Sequence, residues 1–324
     1  MKPLIVLRSV ALFLCGTQAA LHAAPAPRPT LADVSYGPHP KQVLHFWKAK
    51  SNKPTPLLFE IHGGGWIGGG RMSGLAGLLD PVLAAGISVV SIEYRFLGEA
   101  AQDGVTPPVK GSMDDAARAL QFVRSKADEW GIDKRRIVAS GSSAGACTAL
   151  WLAFHDDLAD PKSNDPVARE STRLLAAAVN QPQTTLDPQQ MSAWIPNSIY
   201  GGHAFGIIQG AKGQPPVLEA GKFQQDFNAF SARRDELLPL IKQYSPYDLA
   251  TADDPPVYLI YKEEPALGQP QKDPTHSANF GVKLQERLRE LKVDCELVYP
   301  GAPDVKHETL SAFVIGNISH PPRK

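Results

Sequence analysis

Ser143 stands between two glycines in Gly141-Ser142-Ser143-Ala144-Gly145, directly after the apolar run Ile137-Val138-Ala139-Ser140 and before an apolar helical stretch. That order reads as strand, sharp turn, helix, with the Ser143 hydroxyl at the tip of the turn and clear of the backbone. Glycines at 141 and 145 suit a main chain turned so tightly that side chains would collide with it. A serine presented in this way can attack a carbonyl if a base removes its proton and a carboxylate orients the base. A serine-rich turn before a buried helix is the plainer reading of the same residues.

Acyl transfer also needs donors for the negative charge that develops on the carbonyl oxygen. His62-Gly63-Gly64-Gly65-Trp66 follows the apolar run Leu57–Ile61 and offers them, because three glycines at a strand's end leave backbone N–H groups uncovered. A phosphate cradle is the competing use of such a loop. It wants Lys followed by Ser or Thr at its end, and Gly68-Gly69-Gly70-Arg71-Met72 has neither. His62 itself reads as a tie for the loop rather than an acid or base.

Together these stretches resemble the α/β-hydrolase family, in which Gly-x-Ser-x-Gly is the nucleophile elbow and His-Gly-Gly-Gly the oxyanion loop of the esterase and lipase branch. Glu93-Tyr94-Arg95 is similar to the family's Asp-Tyr-Arg. Gly131-Ile132-Asp133-Lys134-Arg135-Arg136-Ile137 is similar to its approach to the nucleophile. On these motifs the chain is identified as an α/β-hydrolase of the group that includes hormone-sensitive-lipase-like and bacterial feruloyl or acetyl esterases. The resemblance implies oxyanion donors at the backbone N–H groups of Gly64, Gly65 and Ala144. It also implies a triad in the chain order serine, acid, histidine.

Five histidines follow Ser143. His155 lies on the elbow's own helix, His203 in the aromatic-rich stretch read below as a cap, and His320 in the tail. His307 follows Tyr299-Pro300-Gly301, where the family carries Pro-Gly-x-x-His, and is therefore expected to be the base. The family's Gly-x-x-Asp after the penultimate strand is missing. Asp273-Pro274-Thr275-His276 is similar to the family's Asp-Pro segment, so 262–272 reads as an insertion and Asp273 as the acid. Glu263 and Glu264 are the alternatives, and His276 reads as a residue that lines the pocket or packs under it.

Composition narrows the setting. Lys+Arg and Asp+Glu both number 33, so no global field selects nucleic acid or an anionic membrane. Lys2 and Arg8 precede Val10-Ala-Leu-Phe-Leu-Cys15, with small residues around 19–24, and residues 1–24 read as a secretory signal peptide. A secreted or periplasmic location and no stable membrane anchoring are the expectation. Cys147 and Cys295 then remain, too few for a disulfide framework, and both read as small core residues. No Cys/His spacing suggests a metal, and the implied reaction requires no cofactor.

The elements that must position these groups alternate strand and helix. Strands are expected near 43–47, 57–61, 87–94, 137–140, 174–180, 257–261 and 293–299, and Ser112 with Asp115 reads as a helix-capping pair. Phe280, Leu284, Leu288 and Leu291 stripe a helix. Residues 25–40 read as an N-terminal extension. From 187 to 244 the chain turns to Pro, Gln, Gly and scattered aromatics (Trp194, Tyr200, Phe205, Phe223, Phe227, Phe230), too long for a bare loop and read as a small helical cap. The expected fold is α/β: an α/β-hydrolase domain over 25–324 with a mostly parallel sheet, flanking helices and that cap insertion. The expected function is a secreted serine carboxylesterase acting on small-molecule or carbohydrate-linked esters. A prolyl-peptidase-like enzyme and a non-catalytic binding module of the same fold are the alternatives.

Overall fold

The computed structural model describes residues 27–207 and 220–319. Residues 1–24, read from sequence as a signal peptide, and His320 lie outside them, as does the Phe223 side chain. Strands β1 (Leu31–Ser35), β2 (Val43–Trp47), β3 (Thr55–Ile61), β4 (Ser88–Ile92), β5 (Ile132–Ser142), β6 (Ala176–Asn180), β7 (Val257–Ile260) and β8 (Cys295–Val298) form one sheet in the order β1-β2-β4-β3-β5-β6-β7-β8. β2 runs antiparallel to both β1 and β4, and every later pairing is parallel. The expected mostly parallel sheet is present. The segment read as an extension differs: Leu31–Ser35 pairs with β2 and extends the sheet by one edge strand, with a register shift between Leu31 and Val34.

Helices between these strands are α1 (Leu79–Ala84), α2 (Leu97–Gln102), α3 (Pro108–Ser125), α4 (Ala127–Trp130), α5 (Ala144–Phe154), α6 (Pro188–Trp194), α7 (Ala220–Ala232), α8 (Arg234–Tyr244), α9 (Pro246–Leu249), α10 (Asn279–Leu291) and α11 (Leu310–Ser319). Strand residues alternate between two apolar layers, as a period of two requires. Leu57, Phe59, Ile137, Ala139, Ala177, Val179, Val257 and Leu259 pack with α3, α5 and α10. Leu58, Val89, Val138, Ala178 and Tyr258 pack with α1 and α11. Buried on both faces, the central strands are apolar throughout, which is why they are legible as short apolar runs.

The α3 boundary departs from expectation. The helix begins at Pro108, a residue pre-set for a first helical turn, so Ser112 and Asp115 lie inside it and cap nothing. Both serve Arg95 instead: the Ser112 hydroxyl donates to the Arg95 carbonyl at 2.7 Å, and Asp115 accepts from Arg95 Nε at 3.0 Å and Nη2 at 2.7 Å. A buried carboxylate needs such a partner, and the loop after β4 is fixed by it.

Residues 187–244 are mostly helical where described. Asp187 caps α6 by accepting from Gln189 N at 2.8 Å, and Arg234 at the start of α8 clamps the same carboxylate with two bonds of 2.7 Å. Phe205 and Phe230 stack at 5.3 Å, and Trp194 lies edge-on to Tyr247 at 5.1 Å. Trp194, Phe205, Phe227 and Phe230 are therefore core, and Tyr200 faces Trp66. Cys147 is buried and Cys295 packs partly buried against the same layer, both as free thiols. Among the described residues no helix is long and apolar enough to cross a membrane.

Candidate active site

β5 delivers Ser143 at the carboxyl end of the sheet, where α/β folds place ligands. The residue adopts φ 52° and ψ −123°, a conformation that costs a non-glycine residue about 1–3 kcal/mol and persists only where the surroundings hold it. Here they do. Ser143 N donates to Asn180 O at 3.0 Å on β6, and Cys147 N donates to Ser143 O at 2.9 Å as α5 begins. A Cβ at Gly145 would lie 2.1 Å from Ile61 O, and one at Gly141 would lie 2.6 Å from the same oxygen. Space alone dictates both glycines.

The Gly63–Gly65 loop lies against this turn. A Cβ at Gly63 would lie 2.6 Å from Ser142 O and 3.3 Å from Ser143 Cβ, and Gly64 and Gly65 take φ 111° and 62°, open only to glycine without strain. The His62 ring is fully buried and ties the loop down. Its Nε2 lies 3.2 Å from Glu93 Oε1, it stacks on Tyr94 at 4.4 Å, and the Tyr94 hydroxyl donates to His62 O at 2.8 Å. Trp66, also fully buried, donates through Nε1 to Thr148 at 3.0 Å on α5. Loop and elbow helix are thus pinned to each other. Ala144 N is the first amide of α5, one of the N–H groups that a helix cannot satisfy internally.

His276 takes the place expected for His307. The Ser143 hydroxyl meets His276 Nε2 at 2.9 Å, and His276 Nδ1 meets Asp273 Oδ2 at 2.8 Å. With the carboxylate on Nδ1, the ring proton sits there and Nε2 is left to accept from Ser143. Asp273 also accepts from Thr275 N at 3.2 Å and His276 N at 3.3 Å, so one side chain shapes the turn and orients the ring it carries.

His307 is elsewhere. Its Nδ1 lies 2.8 Å from Glu296 Oε2, its backbone N donates to Glu296 Oε1 at 2.6 Å, and its ring packs edge-on against Phe313 at 5.4 Å. It closes the loop after β8 onto the sheet edge and belongs to the α11 side of the molecule. The reading of His276 as a pocket-lining residue is corrected in the same step. Glu263 pairs with Lys272 at 3.5 Å, and Glu264 lies beside Gly301. His155 packs on Trp151.

The stretch 262–272 is not slack. Fully buried Asn279 donates to Trp194 O at 2.8 Å and Ala266 O at 2.9 Å, and Ala266 N donates to its Oδ1 at 2.7 Å. Asn197 and Gln271 exchange two further bonds of 2.8 and 2.9 Å. Gln183, also buried, donates to Thr275 O at 2.6 Å beside His276. These side chains hold the loop between β7 and α10 so that Asp273 and His276 face Ser143. The signal available in sequence was local: a carboxylate three residues before a histidine, near enough along one turn for its side chain to reach both the amides of Thr275 and His276 and the His276 ring.

The BD-FAE family model matches residues 45–267. The chain belongs to the BD-FAE family. The match takes in the glycine loop and the elbow and stops short of Asp273 and His276. Among curated proteins, gut esterase 1 of Caenorhabditis briggsae is 35% identical over 124 residues, 37% of this chain and 22% of its own. Esterase LipC of Mycobacterium tuberculosis is 31% identical over 137 residues, 41% of this chain and 30% of its own. The chain thus spans under a third of these relatives' lengths. The acetyl ester-xyloside bifunctional hydrolase from Caldicellulosiruptor lactoaceticus is similar in structure, with a TM-score of 0.55 and 21% identity over 79% of this chain and 77% of its own. This BD-FAE member therefore has the α/β-hydrolase fold.

Proposed function

We propose that the chain is a serine carboxylesterase, secreted or periplasmic, that hydrolyses esters of small alcohols or carbohydrates through an acyl-enzyme. The carrying observation is the chain of contacts from Asp273 through His276 to Ser143, at 2.8 and 2.9 Å, beside a triple-glycine loop. Ser143 Oγ attacks the ester carbonyl while His276 Nε2 takes its proton, and Asp273 holds and stabilises the imidazolium. The N–H groups of Gly64, Gly65 and Ala144 take up the charge on the carbonyl oxygen. Loss of one such donor typically costs ~3 kcal/mol. His276 then returns the proton to the leaving alkoxide and draws one from the water that releases the acid.

The relatives named as esterases support the reaction type, and the acetyl ester-xyloside hydrolase supports carbohydrate-linked acyl groups as candidates. Residues 187–244 act in this reading as the cap over the site. The test is hydrolysis of p-nitrophenyl acetate and labelling by a fluorophosphonate. Turnover together with labelling that Ser143→Ala abolishes supports the reading. A purified, folded chain that neither turns over esters nor takes up the probe contradicts it, and faster cleavage of a peptide anilide than of the matching ester reassigns it as a peptidase.

A further inference from the structure

Three buried oxygens on neighbouring strands meet no hydrogen-bond partner among the described residues: Glu60 Oε2 on β3, Ser91 Oγ on β4 and Ser140 Oγ on β5. Glu60 is 2% exposed, Ser140 1% and Ser91 0%. Glu60 stands opposite Ser91 on one side and opposite Ser140 on the other. Two residues earlier on each strand, Leu58, Val89 and Val138 pack into the α1 and α11 layer, so the period of two sends all three polar side chains into that layer. The polar row stops on either side. Ala178 follows Ser140 on β6 with no polar side chain, and His45 precedes Ser91 on β2 with its ring taken by Arg71 Nε at 3.2 Å. Over the carboxyl the chain closes with a glycine, since a Cβ on Gly74 would lie 3.2 Å from Glu60 Oε1.

A buried oxygen without a partner is costly, and three on adjacent strands call for a common one. Side chains that stand upright on strands about 4.8 Å apart are too far for a direct O–H···O bond of about 2.5–3.0 Å, and one bridging molecule suits the gap. The bridge has to be uncharged. Burial pushes the Glu60 pKa up to about 8, opposed by Ser140, and no charged group enters that balance, so the carboxyl keeps its proton at neutral pH. Water fits, because internal waters typically make about three hydrogen bonds to buried groups of this kind. With two hydrogens to give and two lone pairs to fill, one molecule serves a carboxyl and two hydroxyls whichever of them donates.

We propose that Glu60, Ser91 and Ser140 hold one internal water molecule, and that this bridge fixes the spacing of the three strand ends that build the active site. His62 follows Glu60 by two residues, Glu93 follows Ser91 by two, and Ser143 follows Ser140 by three. The glycine loop, the carboxylate that ties its histidine and the nucleophile thus all leave the sheet just beyond the bridge. The three side chains act through those strand ends and are positioning residues. The water site stands apart from the esterase reading, and only its kinetic readout rests on that reading.

The experiment pairs a high-resolution crystal structure with oxygen-17 relaxation dispersion, which counts long-lived internal waters in solution. It compares wild type, Glu60→Gln, Glu60→Met and the Ser91→Ala/Ser140→Ala double variant, and either of the last two suffices if the other does not fold. One water within about 2.5–3.0 Å of Glu60 and both hydroxyls is expected in the wild type. Wild type and Glu60→Gln should each count one more long-lived water than Glu60→Met or the double variant. Direct bonds from Ser91 or Ser140 to the carboxyl with no water between, a metal ion in its place, or equal counts throughout overturn the proposal. On p-nitrophenyl acetate, Glu60→Met and the double variant should lose about three- to tenfold in kcat at unchanged KM, as expected when reacting groups are slightly misplaced, while Glu60→Gln stays within about twofold. Wild-type kcat in a folded variant that has lost the water overturns the positioning role. A wild type that holds the water and turns over no ester strikes the esterase reading alone, so the two failures are distinct.

Discussion

Asp273 and His276 lie three residues apart on one loop, and the carboxylate of the first receives the ring nitrogen of the second at 2.8 Å while accepting its backbone N–H at 3.3 Å. The carboxylate and the imidazole are therefore positioned together by one short stretch of chain. Only a single long-range approach, His276 to Ser143, has to be secured by the fold. The buried amides of Asn279 and Gln183 secure it.

Asp273→Asn should leave the fold intact and lower kcat on p-nitrophenyl acetate by about 10²–10⁴-fold, because the ring then loses its tautomer and the imidazolium its counter-charge. Glu263→Gln and Glu264→Gln should stay within about twofold. A steady-state comparison of the three decides this, and a large loss confined to a glutamate variant would reassign the acid.

Asn279→Leu removes the three bonds that hold Ala266 and Trp194 while filling the same space. It should cost about 2–3 kcal/mol by urea unfolding, since buried backbone groups lose their partners. Because the freed loop carries Asp273 and His276, kcat should fall by about tenfold or more. Unchanged kcat in a folded variant would mean that the loop holds itself.

Glu60 sits on β3 facing the α1 and α11 layer, and burial raises its pKa from 4.5 to about 8. The folded state then keeps a proton that the unfolded chain releases above pH 4.5. The stability contributed by this group is therefore full below about pH 4.5 and is lost as pH rises towards about 8, by on the order of 5 kcal/mol in total. Glu60→Gln keeps the neutral shape and should match the wild type at pH 4, then exceed it increasingly up to pH 8. Chemical denaturation across pH measures this, and a gap that does not grow with pH would contradict it.

Gly145→Ala places a methyl 2.1 Å from Ile61 O and 2.5 Å from His62 O, both backbone atoms that cannot turn away. Overpacking of this kind costs about 1–3 kcal/mol, and here the Gly63–Gly65 loop must also shift. A lowered Tm together with loss of esterase activity is expected. A variant with wild-type values for both would show that the elbow is looser than its contacts imply.

Much of this was legible beforehand because it is local. The elbow and the triple-glycine loop are read from contiguous residues whose backbone demands only glycine meets. The buried central strands read as apolar runs. What stayed illegible depends on contacts between distant residues. Leu31–Ser35 becomes a strand only because β2 offers an open edge. Ser112 and Asp115 face Arg95 rather than a helix end, and the choice between two histidines turns on which loop folds back towards Ser143. His307 follows the last strand, where the resemblance places a base, yet Glu296 two strand positions from the end of β8 claims its ring. His276 was within reach of a reading that took the Asp-x-x-His spacing as a preformed pair.

The most direct measurement of the central claim sets His276→Ala beside His307→Ala, each checked for folding, in hydrolysis of p-nitrophenyl acetate. A loss of about 10⁴–10⁶-fold in kcat is expected for His276→Ala, the scale for a missing triad base. For His307→Ala the expected change in kcat is within about threefold, with a lowered Tm. Near-normal turnover by His276→Ala together with collapse of His307→Ala would contradict the claim.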